Sequence, residues 1–273
     1  MDSIILHKFN IPVKGVKKKT IYHFSDTHLT EYDSLSDAAE KEKAIKQTAA
    51  WENVRYSFIS AYNEPFTDAQ KITGKEHFEN LIKLSSEGDA VVMAGDILDY
   101  VNGANLRIAE KGFASLKCPF ISVCGNHEKA DQIPETGAVS VMKKDVQTIE
   151  FDDLIIIGFD NSKRIITENQ LNALADTLKK GKCTVIALHI PIMTEDNEEA
   201  LRRAGEYFQL NYDGCPEENI RFIELIKENS AFVAAVLAGH LHFNNISHIT
   251  EGVTQYVSSQ GIAGNINEYT IGE

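Results

Sequence analysis

Short apolar runs that end in polar clusters recur along the chain: Thr20 to Ser25, Ala90 to Ala94, Phe120 to Cys124, Leu154 to Phe159, Thr184 to Leu188 and Phe232 to Ala238. Most are unbroken rather than alternating, the pattern of strands covered on both faces. Helical stretches fall between several of them. Thr73-Gly74-Lys75-Glu76 and Thr167-Glu168-Asn169-Gln170 each match a capping box, in which the hydroxyl and the side chain three residues on satisfy each other's backbone N–H groups. The first opens onto Phe78, Leu81 and Ile82, the second onto Leu171, Leu174, Ala175 and Leu178. Pro216 suits the first position of a third helix running to about Asn229, with Ile220, Ile223 and Ile226 on one side.

Strand and helix alternate, so the class is α/β with mostly internal, mixed sheet. From Asn245 onward the character changes. Ile246 to Ile249 and Gln255 to Ser258 are expected as strands with turns at Glu251-Gly252 and Gly261, and no helix intervenes, which suits antiparallel pairing at a sheet edge. No repeat, low-complexity stretch or Pro/Ser-rich linker divides the chain, so residues 1–273 are expected to form a single domain. Residues 30–66 stand out as an insertion. Ser36-Asp37 supplies a cap, and a long helical pattern follows through Ile45, Ala49, Val54 and Phe58, with Trp51, Tyr56 and Tyr62 among them. Two expectations attach to it: an extra helix whose aromatic stripe packs on the body, or a lid over a pocket.

Composition agrees with a globular chain. With 43% hydrophobic and 25% charged residues it is neither disordered nor collagen-like. No apolar run reaches the roughly 18 to 20 residues that span a bilayer. Met1 to Thr20 lacks the apolar core of a secretory signal. A cytoplasmic location without a membrane partner is expected. The net charge of −13 repels a phosphate backbone, so nucleic acid is not an expected partner, and Lys17, Lys18 and Lys19 fit a solvated turn before a strand. Cys118, Cys124, Cys183 and Cys215 show no C-x-x-C spacing and are expected as reduced thiols. Nothing in the pattern specifies an oligomeric state.

The chemistry is concentrated in five blocks: Asp26-Thr27-His28, Gly95-Asp96-Ile97-Leu98-Asp99, Gly125-Asn126-His127-Glu128, His189, and Gly239-His240-Leu241-His242. Each closely follows an apolar run, and in open α/β sheets ligands gather at the carboxyl ends of strands. Taken singly, each block reads as a cap or a loop. Together they place His28, His127, His189, His240 and His242, of the chain's 9 histidines, at strand ends. His7, His23, His77 and His248 lack such company and are expected to be structural or surface residues. Carboxylate, imidazole and amide oxygen are ligands that Mn, Fe and Zn accept, and the absence of cysteine argues against a structural thiolate zinc site.

The order D-x-H, G-D-x-x-D, G-N-H-E, H and G-H-x-H resembles the calcineurin-like metallophosphoesterase superfamily, over Asp26 to His242. The resemblance implies a four-layer α/β/β/α sandwich with a site for two divalent metal ions (Mn, Fe or Zn). It assigns Asp26, His28, Asp96 and His242 to one metal, and Asp96, Asn126, His189 and His240 to the other, with Asp96 bridging. Two cations about 3.5 to 4 Å apart can clamp an in-line displacement at phosphorus and lower the pKa of a bridging water to give a hydroxide nucleophile. By the same resemblance His127 stands beside the phosphate as a proton donor, and Asp99 accepts a hydrogen bond from it that fixes its tautomer.

Departures from particular branches narrow the expected substrate. Where the protein Ser/Thr phosphatases carry phosphate-gripping arginines, this chain has Tyr100 and Cys124. Where the lipid-A-pathway hydrolases have arginine it has His127, and repair nucleases add a C-terminal domain for which too little chain follows His242. The chain is more similar to compact bacterial phosphodiesterases, the cyclic-nucleotide class included, which share a stretch like Gly158-Phe159-Asp160-Asn161. The expected activity is hydrolysis of small phosphodiesters such as cyclic nucleotides. A phosphomonoesterase of small metabolites is the alternative, and a nuclease or a non-catalytic scaffold follows behind.

Overall fold

The unbroken apolar runs become strands of two sheets, all of them internal except the one at Phe120 to Val123, which lies at a sheet edge. The computed structural model describes residues 2–203 and 209–273. Its strands are β1 (Ile5–Ile11), β2 (Lys19–Phe24), β3 (Ala90–Ala94), β4 (Phe120–Val123), β5 (Val146–Glu150), β6 (Leu154–Phe159), β7 (Cys183–Ala187), β8 (Val233–Ala238), β9 (Asn245–Thr250), β10 (Val253–Val257) and β11 (Asn265–Ile271). Its helices are α1 (Ala38–Tyr62), α2 (Gly74–Ser85), α3 (Gly103–Ser115), α4 (Glu168–Leu178), α5 (Glu198–Arg203) and α6 (Glu217–Glu228). Among the described residues no helix is long and apolar enough to cross a membrane.

The first sheet runs β1-β11-β2-β3-β4, with β11 antiparallel to β2 and the other neighbours parallel. The second runs β5-β6-β7-β8-β10-β9; β6, β7, β8 and β10 are parallel, and β5 and β9 pair antiparallel at its two edges. Ile21, Val92 and Ile121 of the first sheet meet Ile156, Val185 and Leu237 of the second in the core between them. Helices α2 and α3 cover the outer face of the first sheet with Phe78, Leu81 and Phe113. Helices α4 and α6 cover that of the second with Leu171, Leu174, Phe222 and Ile226. The architecture is the four-layer α/β/β/α sandwich.

Strands β1, β5 and β11 and helix α3 escape the pattern of unbroken runs. Edge strand β5 alternates, as Val146-Gln147-Thr148-Ile149-Glu150, and β11 carries Asn265, Asn267 and Glu268 between its apolar residues. Helix α3 opens on Gly103 behind an Asn102 cap that accepts the Asn105 N–H at 2.7 Å. Helix α6 begins one residue later than expected, with Pro216 as its cap. Its inward side also differs: Ile220 is 41% exposed, whereas Asn219 is fully buried. The Asn219 amide explains the choice, since it donates to the carbonyls of Arg164 and Leu210 and accepts the Ile166 N–H. One polar side chain thus satisfies three backbone groups that would otherwise be buried unpaired.

The insertion folds as α1, capped by a reciprocal Asp37–Glu40 box. Its inward face is not the one the apolar spacing selects, because Ile45 is 59% exposed. Ala44, Thr48, Trp51, Arg55, Phe58 and Tyr62 recur at alternating steps of four and three and turn toward the body. The Thr48 and Thr30 hydroxyls lie 2.8 Å apart. The buried Arg55 guanidinium donates to the carbonyls of Ile72 and Ile262, and the Tyr62 ring stacks on Phe243 at 3.9 Å. This face meets loops rather than a sheet, so it needs donors and aromatic rings where apolar periodicity looks for leucine.

His77 of α2 holds the connector from α1: its Nε2–H donates to the Gln70 carbonyl at 3.0 Å. Burial pushes its pKa down from 6.5 to about 4. Between those values the unfolded chain binds the proton first. The histidine's stabilising share is therefore complete above pH 6.5 and is lost as pH falls toward 4, at no more than about 1.4 kcal/mol per pH unit. In urea unfolding, the stability gap between wild type and His77→Gln is expected to be smaller at pH 5 than at pH 7. A gap independent of pH would contradict this.

Candidate metal centre

The site is built on the loops that leave the carboxyl ends of β2, β3, β4, β7 and β8. Backbone conformation marks it out. Asp26 (φ 56°), His28 (φ 41°), Asp96 (φ 52°), His240 (φ 75°) and His242 (φ 60°) all occupy the left-handed region. Non-glycine residues there cost roughly 1–3 kcal/mol each and persist where function requires the side-chain direction. Glycine is required beside them. A Cβ on Gly95 would lie 2.5 Å from His189 Nδ1, and one on Gly125 would lie 2.1 Å from Asp96 Oδ1.

These loops bring every predicted site residue to one end of the sandwich, in two donor groups. In the first, His28 Nε2 lies 3.1 Å from His242 Nε2, and Asp26 Oδ1 lies 3.3 Å from His242 Nε2. In the second, His189 Nε2 lies 3.0 Å from Asn126 Oδ1, 3.2 Å from His240 Nδ1 and 3.3 Å from Asp96 Oδ2. Asp96 Oδ2 is also 4.0 Å from His28 Nε2, so one carboxylate oxygen faces both groups. The other oxygen, Oδ1, accepts the His127 N–H at 2.9 Å.

The donor chemistry fits two divalent cations. Asp26 and Asp96 are both buried, and among the described residues Asp26 Oδ1 has no hydrogen-bond partner. His189 Nδ1–H donates to the Ala94 carbonyl at 2.7 Å, which leaves the Nε2 lone pair aimed into the cluster. Electrostatics call for positive charge at the same place. Burial would raise the Asp96 carboxyl, but the charges of His189, His28 and His127 hold it well below the usual range. Burial opposes a charged His189, yet the carboxylates of Asp96 and Asp26 raise it to about 10.

A second layer aims these groups. Glu128, at the end of the Gly125–Glu128 block, accepts the N–H groups of Asp96 (2.9 Å), Gly125 (2.7 Å) and Leu98 (2.8 Å). One buried carboxylate thereby ties the β3 loop to the β4 loop. Burial and the neighbouring Asp96 charge push Glu128 up to about 7 despite the bonds from Leu98 and Gly125. Asn161, last in the Gly158–Asn161 stretch, accepts the N–H groups of His189 and Ile190 and donates to the Ile190 carbonyl. Ser25 bonds the Asp26 carboxylate and Ser258, and the His240 N–H donates to Asp26 Oδ2 at 3.0 Å. Glu128 and Asn161 stand in stretches that sequence singles out, but their partners become visible only in three dimensions.

His127 stands at the mouth of the cluster with its side chain 32% exposed. Its Nδ1–H donates to the Asp99 carboxylate at 2.9 Å and lies 3.1 Å from the Asp99 carbonyl, leaving Nε2 for the solvent side. Against burial, the hydrogen bond to Asp99 and the charges of Asp96 and Asp99 raise the ring to about 9. Sequence reasoning placed Trp51 on a helix but not at the site. Its indole stacks on His28 with ring centroids 3.6 Å apart, and it lies 5.5 Å from His242 and 5.7 Å from His127.

Two carboxylate–imidazole groups sharing an aspartate at strand ends are the arrangement of a metal-dependent hydrolase. The family model for calcineurin-like phosphoesterases matches residues 19–244, and the chain belongs to that family. It is a phosphoric ester hydrolase with a dinuclear site for divalent metals. Among solved structures it is similar to a dimetal phosphatase from Danio rerio, with a TM-score of 0.59, 10% identity, and 89% of this chain and 88% of that chain covered. It is also similar to a purple acid phosphatase from yellow lupin (Lupinus luteus) seeds, with a TM-score of 0.51 and 11% identity, covering 93% of this chain and 45% of that one. Identities this low establish likeness of fold. No curated protein matches the chain in sequence.

Removing the Glu128 carboxylate leaves three buried N–H groups without their acceptor, each costing about 1–3 kcal/mol. Glu128→Ala is expected to lower the melting temperature and to weaken Mn²⁺ binding by about 10- to 100-fold, as loss of an orienting partner does. Unchanged Mn²⁺ affinity in calorimetric titration would show that Glu128 does not aim the cluster.

Proposed function

We propose that this chain hydrolyses small phosphodiesters, cyclic nucleotides among them, using two divalent cations drawn from Mn, Fe and Zn. Asp26, His28, Asp96 and His242 hold one cation, and Asp96, Asn126, His189 and His240 hold the other. When bound, the pair neutralises phosphoryl oxygens and provides a water of lowered pKa for attack at phosphorus. His127 Nε2 donates its proton to the leaving oxygen, and Asp99 keeps the ring in the orientation that presents Nε2. Helix α1 acts as a lid on the His28 flank and limits the size of what enters.

The observation that favours a diester lies at Tyr100 and Cys124, where arginines stand in the protein phosphatase branch. The Tyr100 ring lies beneath Lys43 Nζ at 3.6 Å, and the buried Cys124 thiol donates to the Met142 carbonyl at 3.0 Å. Neither position delivers a cation to the cluster. A monoester dianion carries one more negative charge than a diester and gains most from a charge-assisted grip of that kind. Hydrolysis of monoesters is the second reading, because nothing in the donor geometry itself excludes a dianion.

The test is a paired rate assay with Mn²⁺ on bis(p-nitrophenyl) phosphate and p-nitrophenyl phosphate, with a chelated control. The diester is expected to turn over faster, and chelation is expected to abolish both rates. Faster turnover of the monoester would overturn the diester reading.

A further inference from the structure

Trp51 is the chain's single tryptophan, and it belongs to an insertion that the shared site blocks do not require. One indole face is taken by His28, whose imidazole lies nearly parallel at 19°. Two helical turns further along, Phe58 meets His242 edge-on at 5.0 Å. Helix α1 is held in place from both sides. Arg55 donates to the Ile72 and Ile262 carbonyls at 3.1 and 3.2 Å, and Gln260 Nε2 donates to the Arg55 carbonyl at 3.1 Å. The Lys43 ammonium rests on Tyr100, next to Asp99. The indole is therefore a fixed wall of the site.

Its position relative to His127 determines what that wall meets. His127 Nδ1 is committed to Asp99, so an ester oxygen taking a proton from this ring must approach Nε2. The Trp51 and His127 ring centroids are 5.7 Å apart at an interplanar angle of 61°. An ester group that stands at His127 on the α1 side comes within aromatic contact range of the indole, for which centroid separations of about 4.5–7 Å are usual.

We infer that Trp51 is a specificity-determining residue, the wall that contacts the ester groups beside His127 and selects planar aromatic or heteroaromatic groups over small aliphatic ones. The inference rests on the diester reading above and adds a substrate class to it: diesters bearing a flat ring, such as a nucleobase or an aryl group. An aromatic pair contributes roughly 0.5–1.5 kcal/mol beyond area burial, a factor of about 2 to 12 in affinity.

The experiment compares methyl phenyl phosphate with methyl 2,2,2-trifluoroethyl phosphate, which share the retained methyl ester and differ in the group that leaves beside His127, on the Mn²⁺-loaded enzyme. Wild type is expected to favour the aryl diester in kcat/KM. Trp51→Ala should shrink that preference about two- to tenfold through the KM of the aryl substrate, and Trp51→Phe should retain most of it. Equal loss on both substrates, with the ratio unchanged, would mean that Trp51 only supports His28 and would overturn the inference. A second readout needs no turnover. Phenylphosphonate should change the fluorescence of the single tryptophan in the loaded enzyme at lower concentration than methylphosphonate. An identical response to both would likewise overturn the inference. If neither diester is hydrolysed while the two phosphonates still differ, the diester reading fails and the role of Trp51 stands.

Discussion

A single buried carboxylate, that of Asp96, joins the two halves of the site. One oxygen faces His189 at 3.3 Å and His28 at 4.0 Å, and the other is held by the His127 N–H. A carboxylate this deeply buried costs several kcal/mol unless positive charge answers it. Divalent cations held by the surrounding imidazoles and by Asp26 would answer it. The left-handed backbones at Asp26, His28, Asp96, His240 and His242 follow from the same demand, because side chains from separate loops must converge on one point.

The sandwich supplies the rigidity that this convergence needs. Parallel strands from both sheets end at the same side of the molecule, and the inter-sheet core of Ile21, Val92, Ile156, Val185 and Leu237 fixes one set of strand ends against the other. Glu128 and Asn161 convert that rigidity into aim. Each ties the backbone of a ligand-bearing loop through bonds that only one loop path can satisfy. Helix α1 then closes the His28 flank with Trp51, and His127 remains at the solvent side. The candidate metal ligands and helix α1 thus meet on one residue, His28.

Much of this was legible from sequence because both signals are local. Unbroken apolar runs mark β2, β3, β4, β6, β7 and β8, and the ligand types follow each run within a few residues. The alternating strands β1, β5 and β11 were not legible, since polar residues such as Asn267 and Glu268 interrupt their apolar pattern. The inward faces of α1 and α6 were not legible either. Arg55 and Asn219 turn inward to satisfy backbone groups of loops far away in sequence, and no periodicity of apolar residues records that. Trp51 belongs with them: its helix could be anticipated, but its contact with His28 depends on where α1 docks.

The most direct test of the central claim is to count cations on the wild type, Asp96→Asn and Asp26→Asn by calorimetric titration with Mn²⁺, with folding monitored by circular dichroism. A shared Asp96 predicts two sites per chain in the wild type, both weakened in Asp96→Asn but only one in Asp26→Asn. A wild type that binds a single Mn²⁺, or a folded Asp96→Asn protein that keeps one site at wild-type affinity, would contradict the shared carboxylate.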